Sequence, residues 1–166
     1  MLPLGWVQQG TQHDPGANNT KVQLTRSHAE AQCWRVESHP ETSSIERPLV
    51  SVVDDDESVR ESLPDLLKEF GFTARTFSSA EEFLASDFVR QTKCLILDIA
   101  MPGMSGPDLQ RDLKLGGHEI PIIFVTASTD KTVRPRLLEQ GAVECLFKPF
   151  SDTALLEAVN SALHPK

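Results

Sequence analysis

The chain has 166 residues, of which 39% are hydrophobic and 24% charged, and its formal net charge is -8. This length accommodates one domain of typical size and a tail. Because nucleic-acid binding depends on neutralising phosphates, the acidic balance argues against direct contact with DNA or RNA. No apolar stretch approaches the ~18 residues of a membrane span, and the start MLPLGWVQQG lacks the pattern of a signal peptide. We therefore predict a cytoplasmic protein without membrane contact.

Residues 1 to 47 differ in composition from the rest of the chain. They are rich in Gln, Asn, Thr, Ser and His, and their apolar residues follow no sustained period. The segment HPETSSIERP, just before the first apolar run, has a composition that resists packing. We predict a disordered N-terminal extension over residues 1 to 47 and a folded domain over residues 48 to 166.

Three cysteines, Cys33, Cys94 and Cys145, are widely spaced and odd in number. They show none of the paired spacings of a zinc site or a thioredoxin-like site. Two of them lie inside apolar runs, so we predict buried, reduced thiols, as is usual in the cytoplasm.

From Pro48 onward, short apolar runs alternate with amphipathic helical stretches. This alternation predicts an α/β fold, a doubly wound parallel sheet of five strands with helices on both faces. The predicted strands cover residues 49 to 53, 73 to 77, 94 to 98, 121 to 126 and 144 to 147. The predicted helices cover residues 57 to 70, 79 to 86, 106 to 115, 131 to 140 and 151 to 163.

Two prolines fall inside predicted helices, Pro64 in the first and Pro135 in the fourth. A proline in a helix interior removes a backbone donor and crowds the preceding turn. We expect a kink at Pro64 and a short or irregular start to the fourth helix.

Four apolar runs end at polar residues that complement one another. LVSVV runs into three aspartates, CLIL into Asp98, PIIFV into Thr126, and CLF into Lys148. The carboxyl ends of parallel strands lie along one edge of a sheet, so these groups are expected to converge there. Carboxylates, a hydroxyl and an ammonium together suit a divalent cation and a phosphoryl group.

The acidic part of this set is Asp54, Asp55 and Asp98. Carboxylates placed close together repel one another unless a cation joins them, and hard oxygen ligands at a partly open site suit Mg²⁺. A simpler interpretation is that residues 54 to 56 only cap the first helix, since Asp is a favoured N-cap residue. That interpretation can account for any single Asp, but it does not account for the whole set with Asp98.

Four segments resemble the receiver domain of two-component response regulators, especially the branch related to nitrogen-fixation regulators. They are VVDDDESVRESL, LILDIAMPGMSGPDL, PIIFVTAS and GAVECLFKPF, in that order, and the resemblance covers about residues 48 to 164. It implies the strand order 2-1-3-4-5. It also implies that a sensor histidine kinase or a histidine phosphotransfer protein donates a phosphoryl group in a Mg²⁺-dependent reaction.

The resemblance implies a role for each strand-end residue. Asp98 matches the phosphoacceptor, and Asp55 matches the direct Mg²⁺ ligand, with Asp54 acting mainly through a bound water. The backbone carbonyl of Ala100 matches the third protein ligand. Thr126 matches the switch hydroxyl, and Lys148 matches the lysine that pairs with the phosphate.

One position departs from the family pattern. The family has an aromatic residue three positions before the lysine, where this chain has Cys145. The nearby aromatic residue, Phe147, is expected on the opposite face of the strand from Cys145, so the aromatic half of the family's switch is expected to be missing.

Several functions remain open at this point. The leading hypothesis is a stand-alone receiver that signals through protein contacts, because no helix-turn-helix pattern follows the fifth helix. The alternative is a fragment or divergent member of a DNA-binding transcription regulator. A Mg²⁺-dependent phosphohydrolase would need an acidic residue where Ala100 stands, and a flavin-binding domain would not place three aspartates in its phosphate loop.

Overall fold

The computed structural model of the chain describes residues 46 to 166. Five parallel strands form one sheet in the order β2-β1-β3-β4-β5, as predicted. The strands are β1 (Leu49–Val53), β2 (Thr73–Phe77), β3 (Cys94–Asp98), β4 (Ile122–Thr126) and β5 (Glu144–Phe147). The helices are α1 (Glu57–Glu69), α2 (Ala80–Leu84), α3 (Gly106–Leu115), α4 (Val133–Glu139) and α5 (Asp152–Leu163).

The predicted bounds agree with these elements to within a few residues. The largest differences are α2 and α4, which are both shorter than the predicted helices. In α2, Ser79 is the N-cap and Ala85 the C-cap. Residues 1 to 45, and with them Cys33 and nearly all of the predicted extension, lie outside the described residues. The extension therefore stays a prediction.

The core lies on both faces of the sheet, because alternate side chains of each strand point to opposite sides. On one face, Leu95, Leu97 and Phe124 pack with side chains of α2, α3 and α4. On the other face, Ile96 and Ile123 pack with side chains of α1 and α5. Every residue of β3 and β4 is buried. Such strands read as continuous apolar runs, so polar residues at their ends stand out in the sequence.

The two prolines behave differently. Pro64 lies inside α1, which continues from residue 57 to residue 69; the kink expected there stays a prediction. Pro135 is the third residue of α4, which starts two residues later than predicted. Backbone N–H groups of a first helical turn have no partner within the helix, so a proline costs little there. The expected short start of the fourth helix is confirmed.

Cys94 and Cys145 are free and buried. Burial raises the pKa of the Cys94 thiol to about 12, so it stays protonated at neutral pH. Both match the predicted buried thiols. Among residues 46 to 166, no helix combines the length and the apolar character needed to cross a membrane.

Candidate functional site at the carboxyl edge of the sheet

The predicted polar residues meet at one edge of the sheet. Asp98 is the last residue of β3 and Thr126 the last residue of β4, while Asp54 directly follows β1 and Lys148 directly follows β5. The strand register pairs Val53 with Leu97, so Asp54 and Asp98 come next on adjacent strands. Parallel pairing thus brings together groups that are up to 94 residues apart in the chain.

Three carboxylates form the acidic part of the site. Asp54, Asp55 and Asp98 each offer an oxygen, and these three oxygens all lie within 4.8 Å of one another. Asp54 is fully buried and Asp98 is 6% exposed, whereas Asp55 is exposed. The group is therefore open to solvent on the side of Asp55.

Asp56 has a different function from Asp54 and Asp55. It is the N-cap of α1, and its carboxylate accepts hydrogen bonds from the backbone N–H and the hydroxyl of Ser58. Asp54 instead accepts a hydrogen bond from the backbone N–H of Asp56 through Oδ1, at 2.9 Å. The helix-capping interpretation is thus right for Asp56 and does not account for the cluster.

Asp98 has an unusual protonation equilibrium. Burial, and next the negative charge of Asp54, raise the pKa of Asp98 to about 6, although Lys148 acts in the opposite direction. Repulsion between neighbouring carboxylates is relieved by a proton or by a cation. Above about pH 6, the site therefore carries negative charge that favours a bound cation.

Lys148 is paired with two of these acids. Its Nζ lies 2.7 Å from Oδ2 of Asp54 and 3.7 Å from Oδ1 of Asp98. Burial alone would lower the pKa of Lys148, but the hydrogen bond and charge of Asp54 raise it above its usual value. The ammonium is therefore held in its charged form at the acidic cluster. The peptide bond between Lys148 and Pro149 is cis.

Thr126 is buried beside this pair, 3% exposed. Its Oγ1 accepts a hydrogen bond from the backbone N–H of Ser128 at 3.0 Å, and its carbonyl accepts one from the backbone N–H of Lys148 at 2.7 Å. A hydroxyl that accepts one hydrogen bond still has its own hydrogen to donate. Thr126 can thus donate to an anionic oxygen at the edge.

The loop from Asp98 to α3 is closed by its own backbone. The N–H of Gly106 donates to the carbonyl of Ile99 at 3.0 Å, and a Cβ at Gly106 would collide with the carbonyl of Asp98. Met101 is buried in the core, whereas Ala100 is exposed. The loop therefore presents Ala100 to solvent two residues past Asp98.

The prediction for Phe147 is wrong. Side chains two positions apart in a strand share a face, so Phe147 points to the same side as Cys145. Cys145 packs in the cluster that contains Leu137 of α4. Phe147 lines a surface depression of about 510 Å³ together with Arg134 and Pro135, also of α4. It is Leu146 that packs on the opposite face.

Two further residues touch the site region and were missed by sequence reasoning. Arg60 donates from Nη1 to the backbone carbonyl of Asp54 at 2.9 Å. Glu81 accepts a hydrogen bond from the backbone N–H of Met104 at 3.0 Å. The position of Arg60, six residues past Asp54 on the first helix, was a usable signal. Glu81 gave none, because its partner is 23 residues away.

The donor set fits Mg²⁺. This ion prefers oxygen ligands at 2.0–2.1 Å, so two oxygens on opposite sides of it are about 4.2 Å apart. The 4.8 Å limit on the oxygens of Asp54, Asp55 and Asp98 is close to that span. The exposed side at Asp55 also leaves room for the waters that Mg²⁺ usually retains.

Comparisons with known proteins agree on one family. The model of the response regulator receiver domain matches residues 50–160. Nodulation protein W of Bradyrhizobium diazoefficiens is 42% identical over 130 residues, which are 78% of this chain and 56% of that protein. Response regulator protein TodT of Pseudomonas putida is 41% identical over 115 residues, 69% of this chain and 51% of that protein. This chain thus spans about half the length of the curated relatives it matches.

A solved structure supports the same assignment. The response regulator receiver protein from Burkholderia phymatum is 40% identical, with a TM-score of 0.62 over 70% of this chain and 95% of that one. Receivers of this kind take a phosphoryl signal from histidine kinases and are signalling domains rather than conventional enzymes. From its sequence relatives, its fold and the residues at its carboxyl edge, this chain belongs to the response regulator receiver family.

Proposed function

We propose that this chain accepts a phosphoryl group on Asp98 from a histidine kinase or a histidine phosphotransfer protein, and signals through protein contacts. The observation that carries the proposal is the convergence of Asp54, Asp55, Asp98 and Lys148 at one sheet edge. Acidic and basic groups in contact at a solvent-accessible edge match what phosphoryl transfer requires, a nucleophile together with charge neutralisation.

In this mechanism, Asp98 is the nucleophile. An oxygen of its ionised carboxylate forms a bond to phosphorus while the bond between phosphorus and the histidine nitrogen breaks. The leaving imidazole keeps the electron pair and takes up a proton. Lys148 and Thr126 then face a phosphoryl group instead of a bare carboxylate, and they offer it an ammonium and a hydroxyl. Attack by water later releases phosphate and restores Asp98.

Mg²⁺ is the proposed cofactor. Asp55, Asp98 and the Ala100 carbonyl would hold it, with Asp54 acting through a bound water, and it would neutralise charge on the transferring group. Asp54 and Lys148 form a close pair in this structure. With such a cation held by the acids, Lys148 would no longer be needed to neutralise them and would be available to the phosphoryl group.

The proposed function is tested by incubating the full chain with Mg²⁺ and acetyl phosphate and measuring its intact mass. We expect one added phosphoryl group, which is lost at alkaline pH because acyl phosphates hydrolyse readily. A parallel sample with EDTA should show little adduct. Failure of the wild-type chain to form an adduct with either acetyl phosphate or a phosphorylated kinase would contradict the proposal.

Asp55→Asn tests the metal side of the site. Asp55 is exposed within the cluster, and loss of its charge is expected to lower Mg²⁺ affinity about tenfold or more. Asp56→Asn is the matched control, since Asn also caps helices and Asp56 lies outside the cluster. Isothermal titration of each variant with Mg²⁺ measures the effect. Equal losses of Mg²⁺ affinity in both variants would show that the ion is bound by the overall negative charge of the segment rather than by a ligand at Asp55.

Lys148→Met tests the proposed exchange of cations. The ammonium lies 2.7 Å from Asp54 and 3.7 Å from Asp98, so its removal leaves the acids without their internal cation. We expect Mg²⁺ to bind roughly tenfold more tightly while phosphorylation at saturating Mg²⁺ becomes slower. Lys68→Met, on the exposed part of α1, should change neither quantity. Weaker Mg²⁺ binding in Lys148→Met would rule out competition between the two cations.

A second candidate is that this receiver controls a transcription regulator. It is favoured by relatives that carry that name, such as transcriptional regulatory protein FixJ of Azorhizobium caulinodans, 36% identical over 114 residues. This chain covers 54% of that protein. Sequencing downstream of the codon for Lys166 separates the candidates, because a DNA-recognition region in frame would favour the second.

A further inference from the structure

We infer that Glu81 is a positioning residue for the acceptor loop, a role that rests on the proposed function of Asp98 and its metal site. The acceptor loop is defined here as residues 99 to 105, between β3 and α3. Its oxygen ligand is proposed to be the carbonyl of Ala100, so the loop's backbone has to hold a fixed place relative to Asp55 and Asp98. Glu81 reaches this loop from another element, at the start of α2.

The contact is a hydrogen bond between a carboxylate and the backbone. The N–H of Met104 donates to Oε1 of Glu81 at 3.0 Å. A hydrogen bond from the backbone N–H of Glu81 itself, and next this bond from Met104, lower the pKa of the Glu81 carboxyl, so Glu81 is ionised at neutral pH. A hydrogen bond to an ionised acceptor is stronger than a neutral one. Glu81 therefore acts as a charged acceptor for a loop amide.

Gly103 allows this approach. Its φ is +79°, and a Cβ at this position would lie 2.8 Å from Oε1 of Glu81. A side chain here would both strain the backbone and push the carboxylate away from Met104. The glycine of this loop thus serves the contact with Glu81 as well as the turn.

The neighbouring glutamate differs from Glu81 in that its side chain and backbone N–H make their hydrogen bonds at the start of α2. Glu82 belongs to the cap of α2: its backbone N–H donates to Ser79, and its carboxylate accepts from the backbone N–H and hydroxyl of Ser78. The N-cap bond of α2, from the backbone N–H of Glu82 to Ser79, is therefore made without the side chain of Glu81. That side chain is used across space, on a loop 23 residues later in the chain.

The other fixed points of the acceptor loop lie within the loop, its flanking residues and the core. Gly106 is bonded to Ile99, and Met101 and Met104 pack against the core. Glu81 adds a hydrogen bond to Met104 on the exposed side of the loop. Its loss is expected to leave the fold intact and to let the Ala100 carbonyl move.

The experiment compares Glu81→Ala, Glu81→Gln and the control Glu69→Ala, which removes an exposed glutamate at the end of α1. Mg²⁺ affinity is measured by titration of the full chain. Glu81→Ala is expected to bind Mg²⁺ about three- to fivefold more weakly. Glu81→Gln keeps an oxygen acceptor for Met104 and is expected to stay within about twofold of the wild type. Glu69→Ala should match the wild type.

Hydrogen exchange of the Met104 amide in metal-free protein provides a second readout. It should be faster in Glu81→Ala than in Glu81→Gln or in the wild type, since the amide loses its acceptor. Gly103→Ala displaces the same carboxylate from the loop side, and we expect the same weakening of Mg²⁺ binding. This variant keeps the inference testable if Glu81→Ala does not fold.

Two results would overturn the inference. One is unchanged Mg²⁺ affinity in Glu81→Ala, whatever its stability in urea. The other is equal weakening in Glu81→Ala and Glu81→Gln, which would assign the effect to charge. Absence of Mg²⁺ binding by the wild-type chain would instead contradict the proposed function, so the two failures are distinguishable.

Discussion

Asp98→Asn is expected to abolish the phosphate adduct altogether. The amide that replaces the carboxylate has no ionised oxygen to attack phosphorus, while the side chain keeps its shape and its place at the end of β3. Intact-mass measurement after incubation with Mg²⁺ and acetyl phosphate checks this. Asp65→Asn is the matched control, since Asp65 lies on α1 with its side chain 84% exposed. That variant should form the adduct as the wild type does.

The neighbouring acids make this test informative. Asp54 is buried and its Oδ1 and Oδ2 are bonded to Asp56 and Lys148, whereas Asp55 is exposed. If the adduct persisted in Asp98→Asn, the acceptor would be another carboxylate, and Asp55 would be the next residue to replace. Such a result would overturn the assignment of Asp98 while leaving the family assignment in place.

The second expected result is that the metal-free protein becomes less stable as the pH rises from about 4 to about 6, and that Asp98→Asn removes this loss. The pKa of Asp98 is about 6 in the folded state and about 3.9 in an unfolded chain. Between these values the folded state binds more protons than the unfolded state, so the free energy of unfolding falls as pH rises. The difference of about two pH units between these two pKa values corresponds to roughly 3 kcal/mol of unfolding free energy, which is lost in full above pH 6.

Other carboxyls act in the opposite direction. Asp56, Asp108 and Asp130 have pKa values below the usual range because they accept hydrogen bonds from neighbouring hydroxyls, so their contributions are lost as pH falls. The useful quantity is therefore the difference between Asp98→Asn and the wild type. We expect this difference in free energy of unfolding to grow by up to about 3 kcal/mol between pH 4 and pH 7 in favour of the variant.

Urea unfolding in EDTA at several pH values measures that difference, and the same series with Mg²⁺ is its control. A bound cation relieves the repulsion at Asp98, so Mg²⁺ should stabilise the wild type more than the variant above pH 6. A difference that does not change with pH would mean that Asp98 titrates normally. In that case the acids would be less strongly coupled than their burial implies.

The sequence by itself determined the sheet and the residues at its edge. β3 and β4 are covered on both faces, so their sequences are continuous apolar runs. Asp98 and Thr126 could be recognised because they stand where those runs stop. Helix starts also follow local chemistry: Ser79, a favoured type of N-cap residue, directly precedes α2. These features depend on near neighbours in the chain, which is why a single sequence specifies them.

The different roles of Asp54, Asp55 and Asp56 were decided by the tertiary structure. Three consecutive aspartates look alike in the sequence, yet only the turn after β1 gives Asp56 to the helix cap, buries Asp54 and exposes Asp55. The face of Phe147 was predicted wrongly for a different reason, because the two-residue period of a strand was misapplied. Applied correctly, that period places Phe147 on the same face as Cys145, beside α4.

Long-range contacts were also decided only in three dimensions. The sequence placed Lys148 and Asp54 at the same edge, but not their direct hydrogen bond across 94 residues. Nor did it indicate that Glu81 meets the amide of Met104 across 23 residues. Periodicity and spacing report how a segment meets its own neighbours and the core, because burial repeats with the geometry of each element. They carry no information on which exposed carboxylate will meet which distant amide, since that depends on how the helices pack on the sheet.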